Sequence, residues 1–187
     1  MGCQRTGPGR PGPELWIEEY LLLHKGTIGR DRVSKGLAVH SDETLKQDFL
    51  AFLEEKNYTF SFKMVFMLGM LEQADYQGEV SIDKVLGYYQ AFYLKRLDRK
   101  IPVDRKGCIY TREYLDDTIL LKRNMLENPF EKFERKRFVY YSKDLGLLAF
   151  HSQLWKQVDN KEKQTIKDLL QKNLKSYYEE LGGLADD

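Results

Sequence analysis

Residues 59–71 read TFSFKMVFMLGML and form the most apolar stretch of the chain. Phe62, Val65, Phe66, Gly69 and Met70 recur at helical spacing along one face. Met67, Leu68 and Leu71 fill most of the remainder. A helix that is apolar nearly all round belongs at the centre of a fold, so the neighbouring segments are expected to wrap it. Met64, Met67 and Met70 read as packing for that core.

Working outward, Asp75 to Gly78 breaks this helix, and Glu79 to Ile82 reads as a short extended link. Ser81 then caps a long helix running through Lys100, with Ile82, Val85, Leu86, Tyr89, Phe92, Tyr93 and Leu97 on its apolar side. Its last turn is rich in Lys and Arg, which suits the negative end of a helix dipole. Pro102 disfavours helix just before itself. Thr111 to Leu126 reads as a further helix closed by Asn128-Pro129. The β-prone runs Arg137–Tyr141 and Leu147–Phe150, joined by a turn at Asp144 to Gly146, predict a β-hairpin. Asp159 caps a last helix through Leu181, with Ile166, Leu169, Leu170, Leu174, Tyr177 and Tyr178 as its buried stripe. Gly182-Gly183 stops it.

Upstream, Ser41 offers an N-cap before a helix carrying Leu45, Phe49, Phe52 and Leu53. Leu15 to His24 reads as a first helix, and the glycine-containing stretch Lys25 to His40 as a mobile connection. The predicted architecture is a mainly α, multi-helix domain with one small β-hairpin near residues 137–150. Residues 1–14 are read as a flexible leader or an expression remnant, 15–57 as N-terminal helices with their connection, 58–183 as the main helical domain and 184–187 as a tail.

With 42% hydrophobic and 32% charged residues among 187, the composition is that of an ordinary globular chain. No apolar run approaches the ~20 residues needed to cross a bilayer, and the first residues lack a secretory h-region. No membrane association is expected. Two cysteines, Cys3 and Cys108, exclude a disulfide framework and suit a reducing, cytoplasmic compartment.

Catalytic signatures are missing. His24, His40 and His151 lie far apart and no Cys-x-x-Cys is present, so no metal site of the zinc type is expected. The chain has no phosphate-binding glycine loop, no dinucleotide turn, no nucleophile elbow and no His-x-Lys pair of the phospholipase type. No cofactor and no catalytic residue are therefore expected. The acids Asp116, Asp117, Glu131 and Glu134 leave open a metal-dependent nuclease set, against the commoner reading of solvated helix faces.

Charge is unevenly placed although the net is only +1. Phe92 to Arg137 carries thirteen Lys and Arg against eight acids, a surplus of five, and the rest of the chain is four negative. Such clusters attract phosphate backbones. The residues best placed to reach them are Lys95, Arg96, Arg99 and Lys100 at a helix end and Arg105 and Lys106 in the loop after it. Arg123, Arg135, Lys136 and Arg137 near the hairpin complete the expected nucleic-acid contacts. Tyr88, Tyr89, Phe92, Tyr93, Tyr140 and Tyr141 read as core first, and as base-stacking platforms for a single strand second.

Phrasing over residues 58–75 (YTFSFKMVFMLGMLEQAD), 78–104, 122–158 and 174–183 (LKSYYEELGG) resembles the C-terminal accessory region of bacterial superfamily II, DEAD/DEAH-type, helicase-like proteins associated with restriction and defence. Tyr58, Phe62, Lys63, Phe66 and Met70 are also similar to a helix found beside nuclease domains in modification-dependent restriction proteins. The resemblance implies a module that holds DNA, with RNA as the alternative, and that docks on a helicase or motor portion of the same or a partner protein. The helicase phosphate-binding motifs and the nuclease motif are missing, so neither activity is carried over. A protein-interaction domain that docks on a motor without touching DNA is the competing expectation.

Overall fold

The computed structural model describes residues 41, 43–55 and 58–182. The expected leader, first helix, connection and tail lie outside the described residues.

The architecture is mainly α with a small antiparallel sheet. Helix α1 (Leu45–Glu54) precedes α2 (Phe62–Gln73), strand β1 (Glu79–Ser81) and helix α3 (Ile82–Asp98). Short helices α4 (Arg112–Asp116) and α5 (Thr118–Met125) lead through a π-helical turn (Leu126–Phe130) into α6 (Glu131–Arg135). Strands β2 (Val139–Ser142) and β3 (Leu147–Phe150), helix α7 (Ser152–Gln157) and the long α8 (Asn160–Glu180) complete the chain.

Helix α2 is the centre that its sequence demands, for every residue from Phe62 to Leu71 is buried. Helix α3 lies antiparallel against it, with Phe62 meeting Tyr93 and Gly69 meeting Tyr88. The ends of α3 and α8 are set as their residues require. Ser81 accepts from the Asp83 amide, and Asp159 and Glu162 form a reciprocal capping box. Ser41, by contrast, caps a turn rather than the helix: its hydroxyl accepts from the Thr44 amide and α1 begins at Leu45.

Three local outcomes differ from the sequence expectation. The extended link at Glu79 is a strand, pairing Glu79 with Ala149 and Ser81 with Leu147, so the hairpin becomes a three-stranded sheet in the order β1-β3-β2. The expected helix at Thr111–Leu126 is divided at Asp117, whose carboxylate accepts from the Ile119 and Leu120 amides and so starts a new helix. Pro129 does not close the helix. The wider π turn, in which the Glu131 amide reaches the Leu126 carbonyl, carries the chain past a residue that has no N–H to give.

Two aromatic clusters flank α2. Phe49, Phe52, Phe66, Phe133, Phe138 and Phe150 make an all-phenylalanine cluster joining α1, α6 and the sheet. Phe62, Tyr89, Tyr93 and Tyr110 make a second one, in which hydroxyls find partners: Tyr89 meets Tyr110 at 2.9 Å and Tyr110 donates to Asn124 at 2.6 Å. Burial pushes these phenols above their ordinary range, Tyr89 and Tyr93 strongly.

Candidate nucleic-acid interface

The loop that follows α3 is tied to the start of α2 by a buried polar junction. Ser61 is fully buried, and its amide and hydroxyl donate to the Asp104 carboxylate at 3.0 and 2.6 Å. Its hydroxyl also lies 2.9 Å from those of Tyr93 and Tyr178. Tyr178 donates to the Val103 carbonyl, and Tyr177 donates to Asp104. A carboxylate that accepts several bonds at a helix start satisfies amides that would otherwise be orphaned there. The consequence is a fixed path for residues 102–105.

Arg96, expected among the phosphate contacts, is corrected by its place in this junction. It is 0% exposed, its guanidinium lies 3.4 Å over the Tyr178 ring, and Nε donates to the Pro102 carbonyl at 2.8 Å. Helical periodicity explains why: Arg96 falls three residues after Tyr93, on the buried side of α3. It holds the loop instead of a partner. Arg105 is half-buried and similarly engaged, donating to the Tyr58 carbonyl at 3.1 Å, lying 4.8 Å over the Tyr177 ring and facing Glu180 at 3.8 Å.

Lys95, Arg99, Lys100 and Lys106 are exposed around the same end of α3. Arg123 is also exposed, but its neighbour Lys122 bonds Asp83 at the first turn of α3. That places the pair at the opposite end of a 17-residue helix, roughly 25 Å away. The structure thus separates Arg123 from the cations at the end of α3. Arg135 is exposed and paired with Glu131 one turn before it, and Lys136 and Arg137 are half-buried.

The second basic cluster reaches the start of α2 through Lys63, a residue the sequence reading left inside the apolar run. Lys63 is 7% exposed, and its ammonium donates to the Phe52 carbonyl, an orphan acceptor in the last turn of α1, while lying 3.4 Å over the Phe52 ring. Lys136 stands 6.0 Å over that same ring. Burial pushes the Lys63 amine down to about 8; Glu55 opposes this, and Lys132 and Lys136 add to it by repulsion. The two basic clusters thus converge on one end of the central helix, an end whose dipole is itself positive. A lone charge within a long apolar run was the available signal for Lys63.

Both clusters present a cation from an unusual backbone. The C-terminal ends of α3 and α6 close with the same paired pattern: the Lys100 amide reaches Leu97 and the Ile101 amide reaches Arg96, while the Arg137 amide reaches Glu134 and the Phe138 amide reaches Phe133. In each the residue that closes the helix is left-handed, Lys100 at φ 56° and Arg137 at φ 59°, where glycine is the usual occupant.

The aromatic expectations divide. Tyr89, Tyr93 and Tyr140 are core, and Tyr88, Phe92 and Tyr141 are half-buried. Two of the four carboxylates considered as a nuclease set have other tasks: Asp117 caps α5 and Glu131 pairs with Arg135. Among the described residues no group of three or more His, Cys, Asp or Glu is placed to hold a metal ion. Cys108 is half-buried and unpaired, its thiol pushed up to about 11 by burial, so it is poorly suited to nucleophilic work. No helix among the described residues is long and apolar enough to cross a membrane. No known family, curated protein or solved structure matches the chain.

Proposed function

We propose that this chain is a non-catalytic module that binds nucleic acid through the basic end of its helical core. The observation that carries the reading is the convergence of the two basic clusters at the start of α2, with Lys100 and Arg137 each held at a left-handed helix closure. Cations on a rigid frame, exposed or part-exposed, are what phosphate contact requires, and such contacts set position without reading sequence. The contact set is Lys95, Arg99, Lys100, Lys106, Arg135, Lys136 and Arg137; Arg96 and Arg105 support the frame beneath it. The reading accords with the resemblance to a helicase- or restriction-type accessory region, where motor and nuclease would belong to other parts of the assembly and the partner would be DNA, with RNA as the alternative.

Titration of labelled single- and double-stranded oligonucleotides at two salt concentrations tests this. Binding should weaken steeply as salt rises, because each phosphate contact releases counterions. Replacing Arg135, Lys136 and Arg137 with alanine should weaken all sequences about equally. Absence of binding at low salt, or binding indifferent to salt, would refute it.

A further inference from the structure

A groove of about 540 Å³ runs between α3 and α8, over Leu68 of α2. Tyr88, Phe92 and Leu174 line it, and Lys95 on one wall faces Lys172 and Lys175 on the other. Asp168 is the one acid among its described lining residues. Aromatic surface lies low and positive charge stands on both sides.

The Tyr88 ring reaches its place because residue 69 has no side chain. A Cβ there would stand 3.0 Å from Tyr88 Cδ1. Glycine inside a helix is about 1 kcal/mol worse than alanine, so this helix accommodates the ring at a cost to its own stability. Phe92 is set against Tyr93 and Tyr178, with centroids 5.1 and 6.1 Å away, and Tyr178 is itself held by the Arg96 guanidinium 3.4 Å over its ring. Both half-buried rings are therefore held by buried neighbours.

We propose that this groove is the track for a single-stranded nucleic acid, with unstacked bases on Tyr88 and Phe92 and backbone phosphates on Lys95, Lys172 and Lys175. The proposal rests on the nucleic-acid reading above and narrows it, because a duplex keeps its bases stacked inside and cannot offer their faces to a recessed floor. Lys95 belongs to the same helix end as Arg99 and Lys100, so a strand leaving the groove meets the exposed cations already described. An acidic amphipathic peptide would share the charge preference but would make no use of flat aromatic faces.

The test uses the full chain and an oligonucleotide of about twelve nucleotides carrying 2-aminopurine, as DNA and as RNA, single-stranded and in a hairpin duplex. The single strand should bind about tenfold tighter than the duplex, with quenching of 2-aminopurine by ring stacking. Lys172→Glu with Lys175→Glu, both exposed on α8, should weaken the single strand at least tenfold without changing Tm. Phe92→Leu, which keeps bulk and removes one of the two rings, should reduce quenching and weaken binding about tenfold. Equal affinity for strand and duplex without quenching overturns the groove but leaves the basic end standing. Single-strand binding indifferent to the lysine reversal also overturns it. No binding to any nucleic acid overturns both readings, and capture of an acidic amphipathic peptide in its place assigns the groove to a protein.

Discussion

Helix α8 and helices α3 and α6 end in the same left-handed closure but with different residues. At the end of α8 the closing residue is Gly182 at φ 70°, whose amide bonds the Glu179 carbonyl. At the ends of α3 and α6 the same position holds Lys100 and Arg137. A side chain in that conformation costs on the order of 1 kcal/mol, part of which a cation recovers from the helix dipole. The fold alone would be served as well or better by glycine three times. Two of the three closures carry a long cation, at the end of the molecule where basic residues gather, and in the proposed reading these positions serve a phosphate-bearing partner as well as the fold. Arg96 and Lys63 complete the comparison from inside. They are also Lys and Arg but buried, and each holds the frame on which the outward cations stand.

The comparison breaks most visibly at Arg96. Arg96→Ala removes the stacking on Tyr178 and the bond to Pro102 and should cost about 3 kcal/mol in chemical denaturation. If the loss were below 1 kcal/mol, Arg96 would not be a frame residue. At the exposed Lys100 the sign should reverse, with Lys100→Gly stabilising or leaving stability unchanged while oligonucleotide affinity falls.

Next in size is the pH dependence of Lys63. Its amine is held at about 8 in the folded protein against 10.5 ordinarily, so between those values the unfolded chain binds more protons than the folded one. Stability should therefore rise as pH increases from about 8 to about 9, by on the order of 1 kcal/mol, with Lys163 adding a smaller shift in the same direction. Above that range the buried phenols reverse the trend, because unfolded tyrosines release protons that Tyr89 and Tyr93 keep. Urea denaturation across this range would show the rise in the parent and its loss in Lys63→Met.

A contrast of similar size concerns the helix closures themselves. Gly182→Ala should destabilise by about 1 kcal/mol, since alanine meets the left-handed penalty without a compensating charge. Smallest of all, Glu131→Gln should cost about 0.4 kcal/mol, the worth of an exposed pair one helical turn apart, and should if anything tighten phosphate binding by freeing Arg135.

Much of the frame was legible. The apolar run at 62–71, interrupted only by Lys63, identified the central helix, and Ser81 and Asp159 marked where α3 and α8 begin. What escaped depended on tertiary contacts. Glu79–Ser81 is too short to declare itself a strand without β3 beside it, and α7 carries no long periodic stripe. For the candidate site, a count of charges found the basic region but could not sort it. Arg96 follows Tyr93 by three residues, and that spacing already turned it inward. Lys172 and Lys175 lie outside the basic segment and join Lys95 only because α8 packs beside α3.

The central claim is that the two cations at left-handed closures serve a phosphate-bearing partner. Its most direct test is the salt dependence of oligonucleotide binding by the parent chain and by Lys100→Gly with Arg137→Gly, alongside thermal unfolding of both. The account predicts that the double variant is at least as stable as the parent and binds more weakly, with the slope of log affinity against log salt shallower by about two. An unchanged slope with unchanged affinity would contradict it.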